Sequence, residues 1–227
     1  MTSGKEVKMY FNNIAHIYDR FKIKNRYYYD YIKNMISDIT SNFFYSSILD
    51  IGCGTGEILN HLNPERGVGI DISSKMIFFA KKKFKKYNFI ASDFKNIHLT
   101  NKFDLILLID VIEHLEDLNK SLSRIRDFSD NNTNIIISSP SYYWRFILFL
   151  GEKMGFKMPE GSHKWIPPMI LNRIIKKNGF KIKNSGYRLF IPKKIPFFSN
   201  LINSIAYRIP IIKDLGLVYY IICKIDE

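Results

Sequence analysis

The chain has 227 residues, 46% of them apolar and 15% aromatic, enough for a full core in one domain without metal or disulfide staples. Its two cysteines, Cys53 and Cys223, exclude a disulfide framework, and no apolar run approaches the roughly 20 residues of a membrane-spanning helix. The net charge of +13 is uneven: residues 1–140 carry 19 basic and 16 acidic side chains, residues 141–227 carry 15 and 5.

Residues 1–42 read as helical, with Ile14, Ile17, Tyr18 and Phe21, then Tyr28, Tyr31, Ile32 and Met35, at spacings of three and four. No apolar signal region follows the start, so a cytoplasmic chain without a leader is expected. Ser47–Ile51 reads as a strand, Glu57–Leu62 as a short helix and Gly67–Asp71 as a second strand. Lys75–Lys86 predicts a basic helix with Met76, Phe79, Ala80 and Phe84 on its apolar face. Tyr87–Ala91 and Phe103–Ile109 predict two further strands, the latter apolar on both faces as a central parallel strand must be. Asp117–Phe128 predicts a helix, and Asn134–Ser139 a fifth strand stopped by Pro140. Pro168–Asn178 predicts a helix ended by Gly179, and Phe180–Phe190 and Leu217–Ile225 the last two strands. This alternation predicts a single α/β domain, Rossmann-like and doubly wound, with a seven-stranded sheet that is mostly parallel and has an antiparallel last strand. Residues 1–42 form a helical lid in this reading, 45–140 a cofactor-binding core, and 141–227 the acceptor side. Residues 141–162, read as an apolar loop, and the insertion 191–216 have no place in the sheet, so the acceptor pocket and its cover are expected there.

The chemistry is concentrated in Asp50-Ile51-Gly52-Cys53-Gly54-Thr55-Gly56, between the first strand and a helix. Glycine spacing of this kind lets the backbone turn sharply and lie against a ligand, and the helix amides favour a carboxylate there. An acid two positions before the first glycine sits badly beside a diphosphate and well beside an ammonium or sulfonium group. The turn therefore suits a zwitterionic amino-acid tail and opposes a nicotinamide dinucleotide. Asp71, at the end of the second strand, can accept both hydroxyls of a ribose. Asp93, past the third strand, can accept from an adenine amino group while Phe94 or Ile72 covers the ring.

These residues resemble the motifs of the class I S-adenosylmethionine-dependent methyltransferases, nearest to the small-molecule and ubiquinone-biosynthesis type. Ile48 to Gly56 resembles the first motif, Gly69-Ile70-Asp71-Ile72-Ser73 with Met76 the second, and Ser92-Asp93-Phe94 the adenine motif. Phe103-Asp104-Leu105-Ile106 with Asp110-Val111-Ile112-Glu113-His114 resembles the fourth strand and its loop, and Phe11 to Asp19 the family's lid. The resemblance implies S-adenosylmethionine as cofactor. It implies that Gly52, Cys53 and Gly54 hold the methionine moiety beside Tyr18, with Asp50 near the amino group. It implies ribose on Asp71, adenine on Asp93, and further contacts from Ile72, Met76, Ser92, Phe94 and Ile109.

Transfer to an oxygen needs a base, and His114 and His163 are the candidates. Asp110, Glu113 and His114 could instead hold a divalent cation, as their spacing resembles a metal pattern with Asp110 in place of glutamate; a helix cap and cofactor contact is the default, so no metal is assigned. The acceptor is expected to be small or lipid-linked, because Tyr142 to Leu150 and Pro196 to Ala206 are aromatic and aliphatic among cations. That pattern suits peripheral contact with an anionic membrane; a lid or a dimer contact is its bland alternative. An RNA methyltransferase is a rival raised by the charge. It is opposed by the lack of an Asn/Asp-Pro-Pro-aromatic motif or a Pro-Cys pair, so nucleic acid is not the expected partner. A protein that binds the cofactor without chemistry is a second rival. The oligomeric state is left open.

Overall fold

The computed structural model describes residues 3–154 and 164–226. Seven strands form one sheet: β1 (Ser47–Ile51), β2 (Arg66–Asp71), β3 (Asn88–Ala91), β4 (Leu105–Ile109), β5 (Asn134–Pro140), β6 (Phe180–Arg188) and β7 (Val218–Ile225). Their spatial order is β3-β2-β1-β4-β5-β7-β6. The first five pair in parallel, and β7 runs antiparallel to both β5 and β6. This is the doubly wound sheet with an antiparallel last strand that the alternation predicts. β1 and β4 are buried along their whole length, which explains their unbroken aliphatic character.

Side chains alternate across β1 and β4, so each strand feeds two cores. Leu49, Ile51, Ile106 and Leu108 face α5 (Leu118–Arg126) and α7 (Pro168–Lys177), which supply Ile125, Leu171 and Ile175. Ile48, Leu105 and Leu107 face α2 (Arg26–Thr40), α3 (Glu57–Leu62) and α4 (Ser74–Lys83) through Ile36, Leu59 and Ile77. The chain winds outward from β1 in one direction to β3 and then returns to β4 on the other side. The carboxyl ends of β1 and β4 therefore flank the switch point, where open α/β sheets leave a crevice. Helix α1 (Gly4–Lys24) and α2 precede the sheet in the chain and lie over that crevice.

The differences from the sequence reading have local causes. α4 ends at Lys83 because Phe84 turns extended, and Ile77 rather than Phe79 completes the buried face. β5 runs through Pro140 instead of stopping before it. The stretch after it is not a loop: Ser141 caps a 3-10 turn, Tyr142–Trp144, that leads into α6 (Arg145–Lys153). The insertion 191–216 also folds, into α8 (Phe198–Ile205) and a 3-10 turn at Ala206–Arg208.

Asp104 ties the entry of β4 to that of β1. Its Oδ2 accepts from the amides of Ser46 and Ser47 at 2.9 and 2.8 Å and from both serine hydroxyls. Burial works to raise its pKa, but the hydrogen bonds from Ser47 and Ser46 outweigh it and hold the carboxyl below the ordinary aspartate value. A depressed folded-state pKa adds stability above the unfolded value that is lost as pH falls through the folded one. Asp104→Ala should cost about 1.5–3 kcal/mol in urea unfolding at neutral pH. The gap between the two proteins should narrow well below pH ~3.9. Equal urea midpoints at pH 7 would remove Asp104 from this role.

Candidate active site

Between β1 and α3 the backbone turns at Gly52 and Gly56, with φ of +75° and +80°. A Cβ on Gly52 would sit 2.3 Å from Cγ2 of Val111, and one on Gly56 2.7 Å from the Phe89 ring. Glycine is required at both by conformation and by space. The amides of Gly52 and Cys53 both donate to Ile70 O, at 2.7 and 3.0 Å, which folds the turn against the end of β2. Asp71 completes it: Oδ2 accepts from Gly54 N at 2.9 Å and Oδ1 from Ser73 N at 2.8 Å. Burial, opposed by these two bonds, leaves the Asp71 carboxyl above its ordinary pKa.

Asp50 lies behind this turn. It is buried, and its Oδ2 has no hydrogen-bond partner among the described residues. Burial first, then the charge of Asp71, push its pKa up to about 7, with Lys22 opposing. A buried acid with an unmatched oxygen is a destabilising feature that a fold retains where the site uses it.

Helix α1 is fastened over the turn at two points. Asn12 Oδ1 accepts from the Ser73 hydroxyl at 2.8 Å and Lys75 N at 3.1 Å, at the start of α4. Asp19 accepts from the Thr55 hydroxyl at 2.9 Å and from Lys83 Nζ at 3.0 Å, and Lys83 also bonds Glu57. Lys22 follows Tyr18 by one helical turn and sets its ammonium 4.7 Å from the Tyr18 ring centre. Burial lowers its pKa to about 8, partly offset by Glu57 and Asp19.

Beneath α1 and α2 lies a cavity of about 600 Å³. Of the twelve cofactor residues expected from the sequence, eleven line it: Tyr18, Gly52, Cys53, Gly54, Asp71 and Ile72 at one end, and Met76, Ser92, Asp93, Phe94 and Ile109 around the rest. Asp50 is not among the residues that line it. Asp93 caps a 3-10 turn, Phe94–Asn96, by accepting from Lys95 N at 3.0 Å, and Phe94 is buried beside it. Sequence reasoning missed Lys22, Asp19 and Asn12. The one signal for Lys22 was its i+4 spacing from Tyr18.

A second cavity, about 170 Å³, adjoins the first and shares Phe11, Tyr18, Tyr29, Asp110 and His114 with it. Its other walls include Tyr28, Glu113, Leu148, Pro192 and Lys193, from both regions that the sequence left outside the sheet. The ring of His114 meets that of Phe11 edge to face at 5.5 Å. Asp110 has a φ of +54°, and its carboxylate accepts from Ser138 Oγ at 2.9 Å and Tyr28 OH at 3.2 Å. Among the described residues no group of three or more His, Cys, Asp or Glu side chains gathers as a metal site. His163 lies outside the described residues.

Comparison with known proteins identifies the frame. A family model described as a methyltransferase domain matches residues 45–184. This chain belongs to the class I S-adenosylmethionine-dependent methyltransferases. It is 30% identical over 149 residues to a ubiquinone biosynthesis O-methyltransferase of Pelagibacter ubique, covering 60% of this chain and 62% of that one. A protein of the same description from Rickettsia typhi is 25% identical over 215 residues, covering 81% and 86%. The chain spans 50% of the length of a third such relative, from Rhodopseudomonas palustris. Among solved structures, a magnesium protoporphyrin IX methyltransferase from Synechocystis PCC 6803, with bound S-adenosylhomocysteine, superposes with a TM-score of 0.66 at 17% identity, covering 99% of each chain. A methyltransferase from Archaeoglobus fulgidus does so at 0.65 and 25% identity, covering 91% and 99%. S-adenosylmethionine is the cofactor of this family, and the glycine cradle, the unmatched buried carboxylate and the cavity of this methyltransferase fit it.

Because the folded-state pKa of Asp50 is raised, its burial costs the methyltransferase stability as pH climbs from the unfolded value of about 3.9 toward about 7. Asp50→Asn should therefore be the more stable protein in the absence of cofactor, by on the order of 2–4 kcal/mol at pH 8 and by progressively less toward pH 4. A variant less stable than wild type at pH 8 in urea unfolding would show that the carboxylate is needed by the fold itself.

Proposed function

We propose that this methyltransferase passes a methyl group to an oxygen of a small acceptor that carries an aromatic or apolar part. The observation that carries this reading is the sharing of His114 between the two cavities, which puts one imidazole within reach of both a donor and an acceptor. The aromatic lining of the smaller cavity suits a ring or an apolar tail. The relatives described as O-methyltransferases support oxygen as the methylated atom.

When bound, S-adenosylmethionine supplies a methyl group made electrophilic by a sulfonium centre. The backbone of Gly52 and Gly54 supports the methionine part, with Lys22 on its carboxylate and Asp50 favouring its ammonium through the intervening turn or a water. Asp71 takes the ribose hydroxyls with the lone pairs left by Gly54 and Ser73. Asp93 accepts from the adenine amino group, and Phe94, Ile72 and Met76 pack on the ring. His114 would accept the proton of the acceptor's hydroxyl, leaving that oxygen free to take the methyl group that the cofactor would supply. Asp110, held by Tyr28 and Ser138, lines both cavities together with His114.

Two measurements test this reading. Methyl-labelled S-adenosylmethionine, offered with the lipid, small-molecule and RNA fractions of the parent cell, should label one of the first two. His114→Ala should lower kcat by ~10²–10⁴-fold while binding S-adenosylhomocysteine as before. Label confined to RNA would overturn the acceptor class, and tight binding without label in any fraction would mark a non-catalytic binder. For the cofactor, calorimetry should show affinity falling as pH rises through about 8, where Lys22 loses its charge. Lys22→Met should weaken binding by about 1.5–3 kcal/mol and flatten that fall. An unchanged profile would take Lys22 off the carboxylate.

A further inference from the structure

Helix α8 is built inside out. A surface helix normally turns its apolar stripe to the core and its polar side to water. In α8 the buried residues are Ser199, 1% exposed, and Asn203, 2% exposed, while Phe198 is 63%, Leu201 57% and Ile205 43% exposed. The polar side is the anchored side. Asn203 Oδ1 accepts from Phe190 N at 2.7 Å and Ile191 N at 2.9 Å, and its amide donates to Ile191 O and to Tyr27 OH. Ser199 Oγ accepts from Ile195 N and donates to Lys193 O, both at 2.7 Å. Those bonds fix which way the helix faces, so its exposed apolar side is a property of the fold.

Helix α6 continues the pattern. Phe146, Ile147, Phe149 and Leu150 are exposed, and none of its residues is buried. The two regions are joined, since Trp144 Nε1 donates to Leu215 O at 2.7 Å and Leu148, Pro192 and Lys193 line the same small cavity. Phe197, 93% exposed, and Ile211 extend the surface. Its charges have one sign for the most part: Arg145, Lys153, Lys194, Arg208 and Lys213 against Glu152 and Asp214.

We propose that this surface, α6 with the insertion 191–216, docks the methyltransferase on an anionic lipid bilayer. Exposed aromatic and aliphatic side chains on short helices lie at the level of the headgroups, and the surrounding cations meet the negative surface potential. Among the described residues no helix is long and apolar enough to cross a membrane, so the contact is peripheral. A second copy of the chain is the poorer occupant, because a two-fold contact through this face would bring its cations together. Docked in this way, the protein brings to the lipid the segments that supply Leu148, Pro192 and Lys193 to the wall of the smaller cavity. Docking of this kind is independent of which acceptor atom is methylated.

The test is sedimentation of the full chain with vesicles of phosphatidylcholine alone or with added phosphatidylglycerol, in low and high salt. The protein should pellet with the phosphatidylglycerol vesicles, less so in high salt, and little with phosphatidylcholine alone. A triple variant, Phe146→Ser, Phe198→Ser and Leu201→Ser, should reduce that partition at least about tenfold. Since these side chains are exposed, its melting temperature and S-adenosylhomocysteine binding should match wild type. Wild-type protein left in the supernatant of phosphatidylglycerol vesicles would overturn the proposal, as would equal partition of the triple variant. Absence of vesicle binding with a concentration-dependent dimer that the variant abolishes would assign the surface to a second copy and overturn it too.

Discussion

The site depends on one carboxylate accepting two backbone amides. Asp71, at the tip of β2, holds Gly54 in the turn after β1 and Ser73 at the start of α4. Three elements thus take their relative positions from a single side chain, and their ends form one wall of the larger cavity. The glycines make this possible because a Cβ at Gly52 would overlap Val111 and one at Gly56 would overlap Phe89. With the turn pinned, its backbone faces the cavity, and Asp71 still has lone pairs to offer a ligand.

Burying two acids at the ends of β1 and β2 has an electrostatic cost. Asp50 and Asp71 are both raised above their ordinary pKa, and Asp50 has an oxygen without a partner. A cation brought into the cavity would offset this cost, as Lys22 already does in part with a charge that burial weakens. A ligand with both an ammonium and a carboxylate is matched by these acids and Lys22. Stability and binding pull in opposite directions at Asp50, as is common where a fold keeps a strained group for function.

Helix α1 and the insertion are attached by polar contacts. Asp19 clasps α1 to the glycine turn and Asn12 clasps it to the start of α4, while Asn203 clasps α8 to α2 and the segment after β6. Such contacts are directional, so they set orientation where a greasy interface would tolerate sliding. In α8 they leave the apolar side outward. The surface formed by α6 and α8 therefore carries a run of exposed aromatic and aliphatic side chains.

Local chemistry decided much of this in advance. The alternation of aliphatic runs with amphipathic segments set the strand count and the parallel core, because period and burial follow directly from residue type. The glycine turn and the strand-end acids Asp71 and Asp93 were legible because their spacing is itself the geometry of the site. Folding decided the rest. That Asp50 does not line the cavity, that Lys22 does, and that Asp110 is taken up by Tyr28 and Ser138 all depend on contacts between residues distant in the chain. The outward face of α8 was likewise invisible, since its pattern shows two sides and only Asn203's distant partners select the one that is buried.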